Sequence, residues 1–472
     1  MIDITINGIA SELQGVGRLP DGRAVFVPGA LPGERVEIEI KREERRFCEA
    51  SLCAVREPSE ARTAPDCPAY GVCGGCQARH MRYAYALELK RQIVSDALER
   101  IGGVKAPEVR PTLGCDSPNR TRNKAEYPIA WQDGRAVIGA FAKDSRTVVA
   151  LEDCVLQSAV SIKALRWLSE ELDRLSCARH LKFLVTRVNR RGEMMLTLCG
   201  DAPILPEMKR LSPELRAALP EVASFYFCQL NRRYAHALDG VCTRIDGAAT
   251  LTDTLMGLRF ELAPQAFFQV NSPQTEKLYG EALKAAGIAP GCGLRVLDAY
   301  CGAGTITLAA ARDALNATGI EIVAPAIENA CKNARANGMS DRARFICGDA
   351  AREIPKLLQR GERFDAAILD PPRKGADARL LDALVRAEIP KVVYVSCNPA
   401  TLARDVKCLS AGGYRLEYAQ PVDMFPGTHH VETVCCLYHQ KKDFISVPYE
   451  PKNTDYLKKD ESDEQIEFCG EE

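Results

Sequence analysis

Two hydrophobic patterns divide the chain. From residue 3 to about residue 57, alternating stretches such as Ala24-Val25-Phe26-Val27 and Val36-Glu37-Ile38-Glu39-Ile40 are separated by Gly15-Val16-Gly17-Arg18, Pro20-Asp21-Gly22-Arg23 and Leu31-Pro32-Gly33-Glu34. Alternation with period two gives each strand one apolar face, and Gly/Pro turns at this spacing join short strands. About five such strands predict a small OB-like β-barrel. From residue 293 the pattern changes to short apolar runs, Leu294–Asp298, Ala317–Glu321, Ala343–Cys347, Phe364–Asp370 and Lys391–Ser396, alternating with helix-compatible segments. Strands buried on both faces have this appearance, so the expected fold class is α/β, with a doubly wound, Rossmann-like sheet and right-handed crossovers.

The stretch between is less regular. Leu181–Val188 and Met194–Cys199 flank Asn189-Arg190-Arg191-Gly192 and predict a hairpin with a basic tip. Arg79, His80, Arg82, Arg120, Arg122 and Lys124 lie close in sequence to Tyr83, Tyr85 and Tyr127. That mixture suits a phosphate backbone and stacked bases, and it equally suits an ordinary solvated face. The expected organisation is a barrel over residues 1–57, a central α+β unit over 58–262, an α/β unit over 263–440 and a tail over 441–472.

Composition limits the class of protein. The 472 residues are 46% hydrophobic and 26% charged, as in globular chains of two or three domains. No basic start precedes an apolar run, and no run reaches the ~18 apolar residues of a membrane span, so a cytoplasmic protein without a membrane partner is expected. In a reducing compartment the 20 cysteines are thiols, metal ligands or nucleophiles rather than a disulfide framework. The net charge of −1 is uneven: residues 441–472 hold five Lys and ten Asp or Glu, leaving the rest at +4. The acidic tail reads as a solvated, disordered appendage.

Three features carry chemistry. The β-branched run Lys391–Val395 ends at Ser396-Cys397-Asn398-Pro399. Proline at a first helical position and a strand before it put the Cys397 thiol at the carboxyl end of the sheet, where such folds bind and react. Cys301-Gly302-Ala303-Gly304-Thr305 is a tight glycine turn between the first strand and helix, and Glu321 ends the second strand. Bare backbone can approach a ligand there, while a carboxylate at that distance can hold ribose hydroxyls. Asp349 follows the third strand and is expected to contact adenine; Asp370-Pro371-Pro372-Arg373 puts a carboxylate on a rigid turn. Finally, Cys67, Cys73 and Cys76 are spaced for a loop folding its sulfurs around one centre, with Cys154 the best fourth ligand. One tight pair joined by two single cysteines fits an iron–sulfur cluster better than zinc.

Residues 3–57 resemble a TRAM domain, a module of RNA-modifying enzymes. Phe267-Phe268-Gln269-Val270-Asn271, Asp298–Thr305, Leu369–Gly375, Ser396–Asp405 and Glu432 in His429-His430-Val431-Glu432-Thr433-Val434 together resemble the motif set of the RNA uracil-5 methyltransferases, over roughly residues 3–438. The resemblance implies that Gln269, Tyr300, Glu321 and Asp370 contact S-adenosylmethionine, with Thr305 a further polar residue of the loop. It implies that Cys397 is the nucleophile and Glu432 the general base. It also matches Cys67, Cys73, Cys76 and Cys154 to the [4Fe–4S] ligands of the branch acting on 23S ribosomal RNA.

The chemistry demands such residues. Uracil C5 is a poor nucleophile until a thiolate adds at C6, and after methyl transfer a base must remove the C5 proton before the cysteine leaves. The target base must also be unstacked. The expected function is therefore methylation of uracil C5 in 23S ribosomal RNA by a monomer. The same chemistry on transfer RNA, or a non-catalytic RNA-binding module that retains the fold, are the alternatives.

Overall fold

The computed structural model describes residues 1–440, and the acidic tail lies outside the described residues. The first five strands are β1 (Ile2–Ile9), β2 (Gln14–Arg18), β3 (Ala24–Pro28), β4 (Arg35–Glu43) and β5 (Phe47–Glu57). They close into a barrel in the order β1-β2-β3-β5-β4, as the alternating pattern predicts. Its inward positions, among them Ile4, Ile6, Val25, Val27, Val36 and Ile38, form a core of their own. Closure removes the sheet edges that such short strands would otherwise expose.

The middle of the chain contributes helix α1 (Tyr83–Arg100), strands β6 (Lys124–Gln132), β7 (Arg135–Phe141) and β8 (Val148–Ala150), and helix α2 (Ala159–Glu171). Strands β9 (Leu181–Val188) and β10 (Met194–Gly200), helix α3 (Leu205–Ala218), and strands β11 (Val222–Leu230) and β12 (Gly240–Gly247) follow. A seven-stranded sheet runs β12-β11-β10-β9-β6-β7-β8. The predicted hairpin is β9–β10, and α3 is the crossover that lets β10 and β11 run parallel. Ile162, Leu165 and Leu168 of α2 and Met208, Leu211 and Leu215 of α3 fill the core on this sheet. A small hairpin, β13 (Leu251–Leu255) and β14 (Leu258–Leu262), leads into the last unit.

That unit comprises α4 (Ser272–Ala286), β15 (Arg295–Asp298), α5 (Thr305–Asp313), β16 (Asn316–Glu321), α6 (Ala324–Ala336), β17 (Ala343–Cys347) and α7 (Ala350–Gln359). It continues with β18 (Ala366–Leu369), α8 (Ala378–Ala387), β19 (Lys391–Ser396), α9 (Pro399–Ala411), β20 (Tyr414–Val422) and β21 (Glu432–His439). The sheet order is β17-β16-β15-β18-β19-β21-β20, parallel except for β21, which runs antiparallel between β19 and β20. Apolar residues bury both faces, one under α4 and α5 and the other under α7, α8 and α9. Helix α1 also docks on the second face through Val94 and Leu98. Just beyond it, residues 108–113 hydrogen-bond along β20 and cover that edge. The order reverses between β15 and β18, the switch point at which open α/β sheets bind ligands.

Candidate active site

The cofactor side expected from the sequence lies at the carboxyl ends of β15, β16 and β18. Gly302 and Gly304 have φ of 52° and 85°, a region that disfavours side chains, and a Cβ at Gly304 would meet the Phe345 ring at 2.9 Å. The turn therefore depends on glycine, and space above Gly302 is open. Glu321 ends β16 with its carboxylate anchored by the Gly302 amide (3.3 Å) and the Val323 amide (2.9 Å). Spare lone pairs remain to accept from a diol. Asp349 caps α7 by accepting from the Ala351 amide at 3.0 Å. Tyr300 accepts from the Asp377 amide through its hydroxyl at 3.3 Å. The hydroxyl of buried Tyr279, on α4, lies near the side chains of Gln269 and Thr305, which partly offset the rise that burial gives it.

Asp370 leaves β18 half-buried; withdrawal from water, helped by Asp298, pushes its carboxyl up to about 7. Asp298 is fully buried, accepts from the Thr307 hydroxyl at 2.6 Å, and burial lifts it to about 6. Local pattern marks Asp298 as a strand end and the first residue of a motif, with no role of its own, and does not mark Tyr279; nothing in it separates either from core.

The reacting side is built by β19, α9 and β21. Asn398 caps α9, its side chain accepting from the Ala400 and Thr401 amides, with Pro399 first in the helix. This turns the chain sharply and leaves half-buried Cys397 at the sheet mouth. Ser396 pairs with Thr433, so their neighbours Cys397 and Glu432 meet at adjacent strand ends. The Asp370–Gly375 turn is tied to the same corner: the Arg373 carbonyl accepts from the Thr401 hydroxyl (3.1 Å), and the Ala376 amide donates to buried Asp405 (2.8 Å). Burial pushes the Cys397 thiol up to about 12, with the Glu432 and Asp370 carboxylates adding and Arg373 opposing. Burial likewise pushes Glu432 up to about 8, again with Asp370 adding and Arg373 opposing. A thiol and two raised carboxyls thus converge at the mouth of the sheet.

The cysteine loop lies elsewhere. Cys67, Cys73, Cys76 and Cys154 are all half-buried. The Gly74 amide donates to Phe141 at the end of β7, and Cys154 follows β8. Burial pushes the Cys76 thiol up to about 11, and Cys154 is close enough to add to this. Four thiols without a carboxylate are the right donors for an iron–sulfur cluster. Yet among the described residues no three His, Cys, Asp or Glu side chains close around a point that could hold a metal ion. The expected cage is not formed: Cys76 and Cys154 approach one another, but the set of four does not converge.

Strand order, glycine loop and the carboxylate ending β16 define a Rossmann-like fold of S-adenosylmethionine-dependent methyltransferases. Residues 82–441 match the family described as tRNA (uracil-5-)-methyltransferase, and residues 1–53 match the TRAM domain. An uncharacterized RNA methyltransferase of Halalkalibacterium halodurans is 36% identical over 447 residues, covering 93% of this chain and 96% of the relative. One of Caldanaerobacter subterraneus is 38% identical over 445 residues, covering 92% and 97%. The crystal structure of Pyrococcus abyssi tRNA (uracil-54, C5)-methyltransferase in complex with S-adenosyl-L-homocysteine superposes with a TM-score of 0.72 at 26% identity, covering 92% of this chain and all of that one. The chain belongs to the tRNA (uracil-5-)-methyltransferase family, the S-adenosylmethionine-dependent RNA uracil-5 methyltransferases, and carries a TRAM domain.

Proposed function

We propose that this protein methylates uracil C5 in 23S ribosomal RNA, with Cys397 as nucleophile and Glu432 as general base. The observation that carries this reading is the pairing of Ser396 with Thr433, which brings thiol and carboxyl together beside Asp370. S-adenosylmethionine supplies the sulfonium methyl. Gln269, Tyr300, Thr305, Glu321, Asp349 and Asp370 line its side, Glu321 holding the ribose hydroxyls. The Cys397 thiolate attacks C6, and the C5=C6 electron pair becomes available at C5 to take the methyl. Glu432 then removes the C5 proton, the C5–H pair re-forms the double bond, and the C6–S bond breaks to release the thiolate. Arg373, which opposes both raised pKa values, favours the ionised forms.

By donor type and spacing Cys67, Cys73, Cys76 and Cys154 are the residues that would hold a [4Fe–4S] cluster, provided their loop closes on Cys154, and the likeness of this set to that of the ribosomal branch is what favours 23S ribosomal RNA. Cys73→Ser should abolish iron absorbance; anaerobically purified protein without iron overturns the assignment. The transfer-RNA reading has its own support in the Pyrococcus abyssi structure. Labelled S-adenosylmethionine incubated with 23S ribosomal RNA or transfer RNA transcripts separates the two: 5-methyluridine is expected in the former, and label only in transfer RNA overturns the ribosomal assignment. Transcripts containing 5-fluorouridine, which offers no C5 proton, should trap a covalent adduct with wild type and none with Cys397→Ala. Such an adduct from the Cys397→Ala protein would remove the nucleophile assignment.

No helix among the described residues is long and apolar enough to cross a membrane. A cytoplasmic location with the RNA substrate, as a monomer, completes the proposal.

A further inference from the structure

Residues 423–431 connect β20 to β21, and Val422 pairs with Glu432 across the neck of this loop. Asp423 therefore lies one residue from the partner of the proposed base. It is held from many sides. Its carboxylate accepts from Lys90 Nζ at 2.6 Å and from the Tyr83 hydroxyl at 2.8 Å. Its carbonyl accepts from Gln274 Nε2 at 3.0 Å, and its amide donates to the Leu113 carbonyl at 2.9 Å. Lys90 and Asp423 are each 1% exposed, and Lys90 also donates to the Phe425 carbonyl at 3.3 Å inside the same loop.

A buried ion pair is a weak source of net stability, because the desolvation of both partners offsets their attraction. Its best-attested use is to fix one arrangement among several. Here it joins α1 to the strand connection that leads into Glu432, across 333 residues of sequence. Arg91 Nε donates to the Val109 carbonyl and the Thr112 hydroxyl to the Leu87 carbonyl, both at 2.8 Å, tying α1 to the segment along β20; the Lys90 ammonium ties it to Asp423 and Phe425 of the loop that leads into Glu432.

We propose that Lys90 and Asp423, with Tyr83 in support, are positioning residues for proton abstraction: their buried contact fixes the neck of the loop that aims Glu432 at uracil C5. This rests on Glu432 being the base. Loss of the pair leaves thiol addition and methyl transfer to Cys397 and the cofactor side, and slows the step in which Glu432 takes the C5 proton, the C5–H pair re-forms C5=C6 and the thiolate departs.

The test compares wild type, Lys90→Met/Asp423→Asn, Tyr83→Phe and Glu432→Gln on a mixture of unmodified 23S ribosomal RNA and transfer RNA transcripts with S-adenosylmethionine. The double substitution removes both charges together, so no lone charge is left buried. It should lower kcat at least tenfold with KM for S-adenosylmethionine within twofold. It should also accumulate a methylated covalent RNA–protein adduct on denaturing gels and show a larger kinetic isotope effect with 5-deuterouridine transcripts than wild type. A purely structural role would lower melting temperature and active fraction without moving the isotope effect. Tyr83→Phe should show the same signature more weakly, and it carries the test where the double variant does not fold. If Glu432→Gln accumulates adduct while neither neck variant gains adduct or isotope effect, the positioning role is overturned and the base assignment stands. If Glu432→Gln itself shows neither signature, the base assignment falls, and the positioning role with it.

Discussion

Glu432→Gln should make the unliganded protein more resistant to heat at alkaline pH, for a reason that lies in the site. Burial, with Asp370 adding, lifts the Glu432 carboxyl from its ordinary 4.5 to about 8. A carboxyl raised in this way binds its proton more tightly in the folded than in the unfolded chain. Its contribution to stability is complete below about 4.5 and is lost progressively as pH rises to about 8. At about 1.4 kcal/mol per pKa unit, the loss between pH 5 and pH 9 is about 4 kcal/mol at most. Glutamine keeps the shape and cannot ionise, so any cost of its amide is the same at both pH values and cancels from the comparison. A unit the size of residues 263–440 shifts by about 2–3 °C per kcal/mol. The melting difference, variant minus wild type, should thus grow by about 8–12 °C from pH 5 to pH 9. Scanning calorimetry without S-adenosylmethionine or RNA measures it. A difference that stays constant within about 2 °C, or that moves the other way, would refute the claim that this carboxyl is held protonated by burial. A carboxyl poised near neutrality suits the proton removal proposed for Glu432.

The same electrostatics make kcat/KM rise with pH through about 8, the Glu432 value in the free enzyme, and a profile flat from pH 6 to 9 would contradict it. With its thiol pushed up to about 12, Cys397 should alkylate at least ~100-fold more slowly below pH 9 than exposed Cys347, and faster in Glu432→Gln only above about pH 8, where the wild-type carboxyl ionises. Quantitative mass spectrometry of the tryptic peptide Val392–Arg404, which holds Cys397 alone, reads this; equal rates would refute it. Glu321→Ala should raise KM for S-adenosylmethionine by about 30-fold, the equivalent of ~2 kcal/mol of lost hydrogen bonding, with kcat nearly unchanged. A change in kcat alone would remove Glu321 from the ribose. Tyr394→Phe strips the 2.5 Å hydrogen bond from buried Asp405 and should cost about 2 kcal/mol, seen as a melting temperature ~4–6 °C lower. An unchanged melting temperature would show that Asp405 is satisfied without it.

Local chemistry determined much of this protein by itself. The β-branched run Lys391–Ser396 is a strand over those same residues because a continuous apolar stretch of that length is stable only between two covered faces, and Ala343–Cys347 is the strand expected over its residues, at the sheet edge with Arg344 and Cys347 exposed. Gly302 and Gly304 mark their turn because few other residues tolerate its backbone, and Asn398-Pro399 mark the start of α9 because one caps and the other needs no amide partner. Motif spacing therefore located the glycine loop, Glu321, Asp370 and Cys397 at strand ends. Relations between distant segments were decided only in three dimensions. That Glu432 meets Cys397 depends on β21 inserting antiparallel between β19 and β20, which no periodicity encodes. The docking of α1 on the sheet and the Lys90–Asp423 pair likewise exist only once both partners are packed. So do the raised carboxyls, since a pKa follows burial and neighbouring charge rather than sequence position. The four cysteines illustrate the same limit: their spacing selected the donors, while convergence on one centre is a matter of how the 67–76 loop lies against the strand connection holding Cys154. A chain writes its turns and strand ends in single residues, but contact between strand ends is set by sheet order, and the chemistry proposed here depends on that contact.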